Sequence, residues 1–553
     1  MPRIEAMNKG SVDNILDLYN SGSNSYIESS TGKKFSVFYP YWLKFGSRNF
    51  HVKDLPIDQI PEVMYAFLNV DKDGCLTHIN SDADYRKRIT SEQEGIKPLD
   101  SYNSNNNYYG NFGQFNKLKQ QGKQFNLIIG VGGWGNSQNF SSVVGKSSSR
   151  NNFVKSLSTF LSKYTIFCGI ALYWEYLSND GVNYGAEGNG ANKSDVTNLV
   201  LLLKQLRAEK DKNFRIYLVC RARPENAKLI NFKDIVDLVD EFHLPTYDFT
   251  DYSISKDKMT CSHTNLRKSN YTVTSVEEIV EAYIAAGVPP EKIMIGAAFY
   301  STGFSGTDGP GEIATGPTPD KSVENGIVNY KDLPKPGAVE YWDSKTCSPF
   351  SYDTNKRIFN SYDNINSIYY KSCYVWEKGL KGMICWEASE DLPVDNQRSL
   401  IKALNDFLVT TDPRNLPEPK LPPFWKFPDP PADPWEAGKT YAAGSVVKFN
   451  GVDYKCIKDH SDTTPETLSG ILWSPIKETT EAPSVPPKDT VDIPSNVSDV
   501  KISSVDTEGI KIERMNDPFN FLKVKSVDTS KNEVKSVRFD EGLPSNIAKI
   551  IYE

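Results

Sequence analysis

The sequence predicts an α/β protein built on a (β/α)8 barrel, a TIM barrel, and three observations carry that expectation. From Phe35 to Leu408, short apolar runs rich in β-branched residues alternate with amphipathic segments of helical spacing, the pattern of a parallel sheet. Within them, Phe167 to Tyr176 (Phe-Cys-Gly-Ile-Ala-Leu-Tyr-Trp-Glu-Tyr) reads as a buried strand, so Ala171, Tyr173 and Glu175 share one face. In a parallel barrel that face is inward, and Glu175 falls at the carboxyl end, where such barrels keep their chemistry. Finally, 553 residues exceed one ordinary core, and proline-dense linkers at 411–434 and 477–497 set off two small β domains, 435–476 and 498–553.

Composition narrows the function classes. A net charge of −7 gives no electrostatic footprint for nucleic acid. Eight cysteines and five histidines are scattered without ligand spacing, so neither a metal site nor a cofactor is expected. No apolar run is long enough to span a membrane, and Met1 to Gly10 lacks the apolar core of a signal peptide.

Taken in order, residues 1–33 form a polar lead with one helix near Val12 to Tyr19, and the barrel occupies 34–410. Strands are expected at Phe35 to Trp42 and Val63 to Val70, followed by a polar loop, 71–113, that shapes a binding mouth. A helix over Gln114 to Gln121 leads to the strand Phe125 to Ile129, closed by Gly-Val-Gly-Gly-Trp. Its glycines allow close backbone approach beneath a ligand, and Trp134 lines the cleft. No Gly-Lys-Ser/Thr follows, which excludes a phosphate-cradling loop. Asn152 to Tyr164 is an amphipathic helix feeding the central strand, and a second apolar face runs from Val196 to Leu206. Further strands fall at Ile216 to Cys220, Glu241 to Phe249, Ile293 to Tyr300 and Lys381 to Trp386; Ser275 and Glu278 make a capping box for the helix Val276 to Ala286. His263 reads as a hydrogen-bonding loop residue.

The central run resembles the signature strand of the family 18 glycoside hydrolases, the chitinases, whose pattern is D-G-x-D-x-D-W-E-Y. Cys168, Ala171 and Tyr173 stand at the three aspartate positions, and the glutamate remains as Glu175. Other segments are similar as well: Tyr39 in Phe-Tyr-Pro-Tyr-Trp, Phe67 in Tyr-Ala-Phe-Leu-Asn-Val, and Trp134 after the glycine run, with Gly130 in place of a serine. Tyr247 and Asp248 match a tyrosine-aspartate pair that holds the sugar's acetamide, and Trp386 matches the tryptophan that floors the central subsite. Pro245 and Thr302 depart from the family's methionine and arginine. Residues 301–370 resemble the small α+β insertion that deepens the cleft, and 435–476 resembles the chitin-binding modules of families 5 and 12, although Lys455, Cys456, Ile457 and Lys458 stand where those modules carry exposed aromatics.

The resemblance implies a ligand, chitin or another N-acetylglucosamine polysaccharide, bound through Tyr39, Phe67, Trp134, Tyr247, Asp248 and Trp386. In the family the glutamate protonates the glycosidic oxygen, the substrate's acetamide attacks, and the neighbouring aspartate stabilises the positive charge. A neutral phenol cannot take that last role. Ala171 vacates space that Tyr173 fills, which leaves no pair of carboxylates at these positions. Three readings follow: a chitin-binding pseudoenzyme with Glu175 as a vestigial general acid, a weakly active chitinase, and a structural subunit of an assembly like the bacterial insecticidal toxin complexes, with a protein partner on the C-terminal domain. Each places the mature chain outside the cell, exported from the cytoplasm without an ordinary signal peptide.

Overall fold

The computed structural model describes residues 26–87, 109–210, 213–322, 325–425, 433–443 and shorter stretches from 445 to 475, and beyond these the backbones of five strands between Val500 and Ile551. The helix expected near 12–19 and the middle of the 71–113 loop lie outside the described residues. The chain divides into two units, 1–427 and 428–553.

The first unit is a closed parallel barrel. Its strands are β1 (Lys34–Pro40), β2 (Glu62–Val70), β3 (Asn126–Gly132), β4 (Gly169–Tyr173), β5 (Arg215–Val219), β6 (Glu241–Leu244), β7 (Ile293–Ala298) and β8 (Gly382–Trp386). Each pairs in parallel with the next, and β8 pairs with β1 to close the ring. Regular helices cover the outside at Gly110–Gln120, Ser147–Lys163, Asp195–Glu209, Val276–Ala285 and Ile365–Glu377. After β1 and β5 only 3-10 turns connect the strands, Val52–Asp54 with Ile57–Gln59 and Pro224–Leu229 with Phe232–Asp234. Pro56 and Pro224 fit this, because each removes a donor that a longer helix would need. The Ser275 hydroxyl caps its helix by accepting from the Glu278 amide at 3.2 Å, while the Glu278 carboxylate turns outward to Lys268 at 2.6 Å, so only half of the expected box forms.

Strand alternation sorts the core into two layers. Phe35, Val37 and Tyr39 of β1 pack outward under the helices, and Phe38 points into the barrel with Met64, Ala171, Tyr173 and Ile384. The start of the barrel is ionic rather than apolar. Lys34 Nζ lies 2.6 Å from Glu62 and 2.8 Å from Glu241, and the Tyr217 and Ser36 hydroxyls donate to Glu62 at 2.8 and 2.5 Å. All five residues are buried. Two carboxylates are thus enclosed after all, a layer away from Ala171 and Tyr173, and they share one ammonium.

An antiparallel sheet over Tyr300–Ser305, Gly316–Pro317, Ile327–Asn329, Val339–Asp343, Ser348–Asp353 and Ile358–Ser361 follows β7 and has its own core of Phe304, Phe350, Tyr352 and Phe359. In the second unit a hairpin, Val446–Phe449 with Val452–Cys456, packs Tyr441, Val447, Tyr454 and Trp473 together; Lys455, Ile457 and Lys458 are exposed. Farther on, Val500–Asp506 pairs with Gly509–Glu513, and Val524–Ser530 with Glu533–Phe539. Among the described residues no helix is long and apolar enough to cross a membrane.

Candidate functional site

The carboxyl ends of the strands build a cleft around Glu175. β4 stops at Tyr173, two residues short of it, because the backbone bonds pass from the neighbouring strand to a turn: Gly133 N–H and the Ser137 hydroxyl both donate to the Tyr173 carbonyl, and Glu175 N–H donates to the Ser137 oxygen at 3.0 Å. Glu175 is thereby held at the mouth, part-buried. Burial pushes its carboxyl up to about 8, partly offset by a hydrogen bond from the Tyr176 phenol and reinforced by the charge of Asp248. Near neutral pH Glu175 therefore keeps its proton.

None of Cys168, Ala171 and Tyr173 supplies a charge beside it. Ala171 is apolar, and burial pushes the Cys168 thiol up to about 11. Tyr173 is buried, with Phe38 edge-on at 5.3 Å and Phe67 at 5.4 Å, and burial holds its phenol well above the usual range. Its hydroxyl is 2.8 Å from His243 Nδ1, and His243 Nε2 is 3.3 Å from Glu241 Oε2. A Tyr173 proton on Nδ1 and an Nε2 proton on Glu241 satisfy all three groups at once. Burial opposes ionisation of Glu241, but Lys34's charge and then the His243 bond outweigh it and hold that carboxyl down at about 2. The tyrosine is thus tied by way of His243 to the ionic layer of the barrel. Tyr173→Phe is expected to cost about 1–3 kcal/mol by stranding His243 Nδ1, read as a lower urea midpoint; an unchanged midpoint would show that this bond holds nothing.

Around this centre Trp386 lies 5.0 Å from Phe38, stacked over Phe67 at 6.3 Å and beside Trp42 at 6.3 Å. Trp134 is 57% exposed and faces Tyr176 at 6.4 Å, a free ring at the rim. Tyr247 leans on Tyr300, whose hydroxyl donates to Asp248 at 2.6 Å; Asp248 takes a left-handed φ of 55° and its amide faces His263 Nδ1 at 3.4 Å. Glu175, Trp134, Tyr247, Asp248 and Trp386 all sit at this end of the barrel. Tyr39 does not join them: it is fully buried on the helix side, edge-on to Phe115 at 5.4 Å, and Phe38 takes the inward place. Phe67 is buried beneath the floor rather than open to the cleft.

The glycine run also has a different cause from the one expected. A Cβ on Gly130 or Gly133 would come within 2.6 or 2.7 Å of the Phe67 ring, and one on Gly132 within 2.5 Å of the Tyr173 carbonyl. These glycines make room for the protein's own packing.

Four further residues enter the site without having been singled out from sequence: Trp42, Arg48, Glu387 and Glu390. With Asp248 and Trp386 they line a cavity of about 260 Å³. Ser389 donates to Glu387 from its hydroxyl at 2.6 Å and its amide at 3.1 Å, while burial and then the charge of Glu387 push Glu390 well above the carboxylate range. The Trp-Glu pair at 386–387 was a legible signal, since Glu387 adjoins the floor tryptophan.

The raised Glu175 pKa has a consequence for stability. Between the unfolded value near 4.5 and about 8, the folded state holds a proton that the unfolded chain has released, so stability falls as pH rises through that window. Glu175→Gln is expected to flatten that decline in urea midpoints measured across it; equal slopes in both proteins would contradict the assignment.

Residues 34–391 match the family model described as glycosyl hydrolases family 18, and residues 434–471 match the model of carbohydrate-binding module family 5/12. The chain is 32% identical over 367 residues to Endochitinase 1 of Metarhizium robertsii, covering 64% of this chain and 81% of that protein. It is 28% identical over 408 residues to Chitinase A1 of Niallia circulans, covering 66% and 57%. Among solved structures, chitinase ChiA74 from Bacillus thuringiensis superposes with a TM-score of 0.58 at 22% identity, over 78% of this chain and 76% of that one. The chitinase Chi1, fitted into the Yersinia entomophaga toxin complex, does so with 0.59 at 20%, over 69% and 85%; these two likenesses are of fold. With its barrel matched from the first strand through the last and a sugar-binding module after it, the chain belongs to glycoside hydrolase family 18.

Proposed function

We propose that this chain binds N-acetylglucosamine oligosaccharides, the chains of chitin, in its barrel cleft and does not turn them over at the rate its fold otherwise supports. One observation carries the reading: where cleavage needs an acidic partner for the developing positive charge, the neutral phenol of Tyr173 is tied to His243. Losing one preorganised electrostatic group costs roughly 100- to 1,000-fold in rate. Trp386 and Trp134 remain as rings at the floor and rim, and flat rings against sugar faces supply a large contact at small entropic cost. Lys455, Ile457 and Lys458 are exposed where the resemblance puts the module's aromatics, so we assign binding chiefly to the barrel. Extracellular chitin as the target makes export part of the same proposal.

Titrating a chitooligosaccharide while following tryptophan fluorescence tests it. A saturable change is expected; none at saturating sugar would remove the binding role. A second reading, residual hydrolysis, is favoured by Glu175 alone, because a carboxyl with its pKa near 8 is a competent proton donor at neutral pH. Co-purification from the native source tests whether residues 498–553 carry a protein partner.

A further inference from the structure

Asp248 meets the cleft from a backbone conformation that a residue with a Cβ rarely adopts. Its φ of 55° lies in the left-handed region, which persists only where the surroundings impose it. Here three neighbours do so. Arg223 Nη2 donates to the Asp248 and Phe249 carbonyls at 3.3 and 3.1 Å, and the Tyr300 hydroxyl donates to the Asp248 carboxylate at 2.6 Å. The Asp248 amide donates to Nδ1 of His263 at 3.4 Å, and the next amide, that of Phe249, donates to the His263 carbonyl at 3.0 Å. Thr264 continues the seam, its hydroxyl donating to the Thr246 carbonyl at 2.9 Å. His263 is fastened in turn, because its own amide donates to the Ser361 hydroxyl at 3.1 Å.

Packing alone does not account for an imidazole at this position. His263 is wholly buried, its ring lies 5.3 Å from that of Tyr300, and its Nε2 has no hydrogen-bond partner among the described residues. Accepting from the Asp248 amide puts the ring's proton on Nε2, so the orphaned atom is a buried donor, a cost that an apolar side chain of similar size would avoid. What the ring supplies in exchange is the acceptor for Asp248; Nδ1 is also 3.7 Å from Asp248 Oδ1, so it adjoins both ends of that residue. We propose that His263 is a positioning residue: by fixing the Asp248 amide it holds the left-handed turn that aims the Asp248 carboxylate at a sugar's acetamide. The proposal rests on the sugar-binding reading above, in which Asp248 meets that acetamide, and adds the residue that aims it. Being enclosed, His263 acts on the ligand only through Asp248.

Calorimetric titration of the full chain with a fully acetylated chitooligosaccharide, set beside urea midpoints, tests this. His263→Leu, which fills the space without an acceptor, is expected to bind about tenfold more weakly while its midpoint stays close to that of the unaltered chain. In an Asp248→Ala background the same change is expected to cost no further affinity, because the residue it aims is gone. Undiminished binding by His263→Leu, or a loss of the same factor with and without Asp248, would overturn the proposal and leave sugar binding standing. Should His263→Leu not fold, His263→Asn and His263→Gln decide, since the shorter amide places its oxygen near the Nδ1 position and the longer one near Nε2. Affinity kept in the asparagine variant and lost in the glutamine variant is expected; equal affinities in the two would overturn the proposal. If the unaltered chain binds no sugar, both readings fail together.

Discussion

Changing Lys34 to methionine is expected to destabilise the barrel by about 3–5 kcal/mol, because it removes the ammonium shared by two enclosed carboxylates. Glu62 and Glu241 are almost wholly shielded from solvent, and Lys34 lies within 2.8 Å of both. Without it each must take up a proton or remain as an uncompensated charge, and the bond from His243 to Glu241 loses its charged acceptor. Urea unfolding measures this directly: the midpoint should drop with little change in slope. Neutralising the carboxylates as well, by adding Glu62→Gln and Glu241→Gln, should recover a large part of the loss, since the penalty lies in unpaired charge rather than in lost packing. A loss under about 1 kcal/mol for Lys34→Met would mean that the ionic layer is not what holds this end of the barrel.

Trp386→Ala is expected to weaken oligosaccharide binding by roughly 30-fold or more, the effect of removing a central aromatic anchor from a binding surface. Its indole rests on Phe38 and Phe67 and abuts Trp42, so its position is set by packing and costs little to hold when sugar arrives. Trp134→Ala should cost less, because that ring is mostly exposed and its nearest aromatic neighbour is Tyr176 at 6.4 Å. The two affinities come from the same titration. Equal losses would indicate that the sugar rides on the rim rather than the floor.

The sequence carried the barrel and its eight strands because each strand is a short apolar run followed by helix or turn signals, and strand order then follows from adjacency. It could not say which face of β1 looks inward. In a strand buried on both sides Phe38 and Tyr39 are equally apolar, and one residue of register moved Tyr39 from the cleft to the helix layer. The ionic layer was illegible for another reason: Lys34, Glu62 and Glu241 each begin a strand, where a charged residue ordinarily faces water, and only barrel closure brings them together. His243 could have been reached by the alternation rule, since it shares a face with Glu241 two residues before it. The replacement of the acidic triplet was visible from the start; that Tyr173 is bonded into the barrel's interior was not.

The most direct test is product release from a chitooligosaccharide at enzyme-like and at stoichiometric protein concentrations, set beside Glu175→Gln. A barrel with a neutral phenol at position 173, two residues before its acid, should hold the sugar and release no more product than that variant does. Cleavage at a rate typical of enzymes, lost on changing Glu175 to glutamine, would mean that the phenol at position 173 and its histidine still permit the chemistry, and the account of a silent site would be wrong.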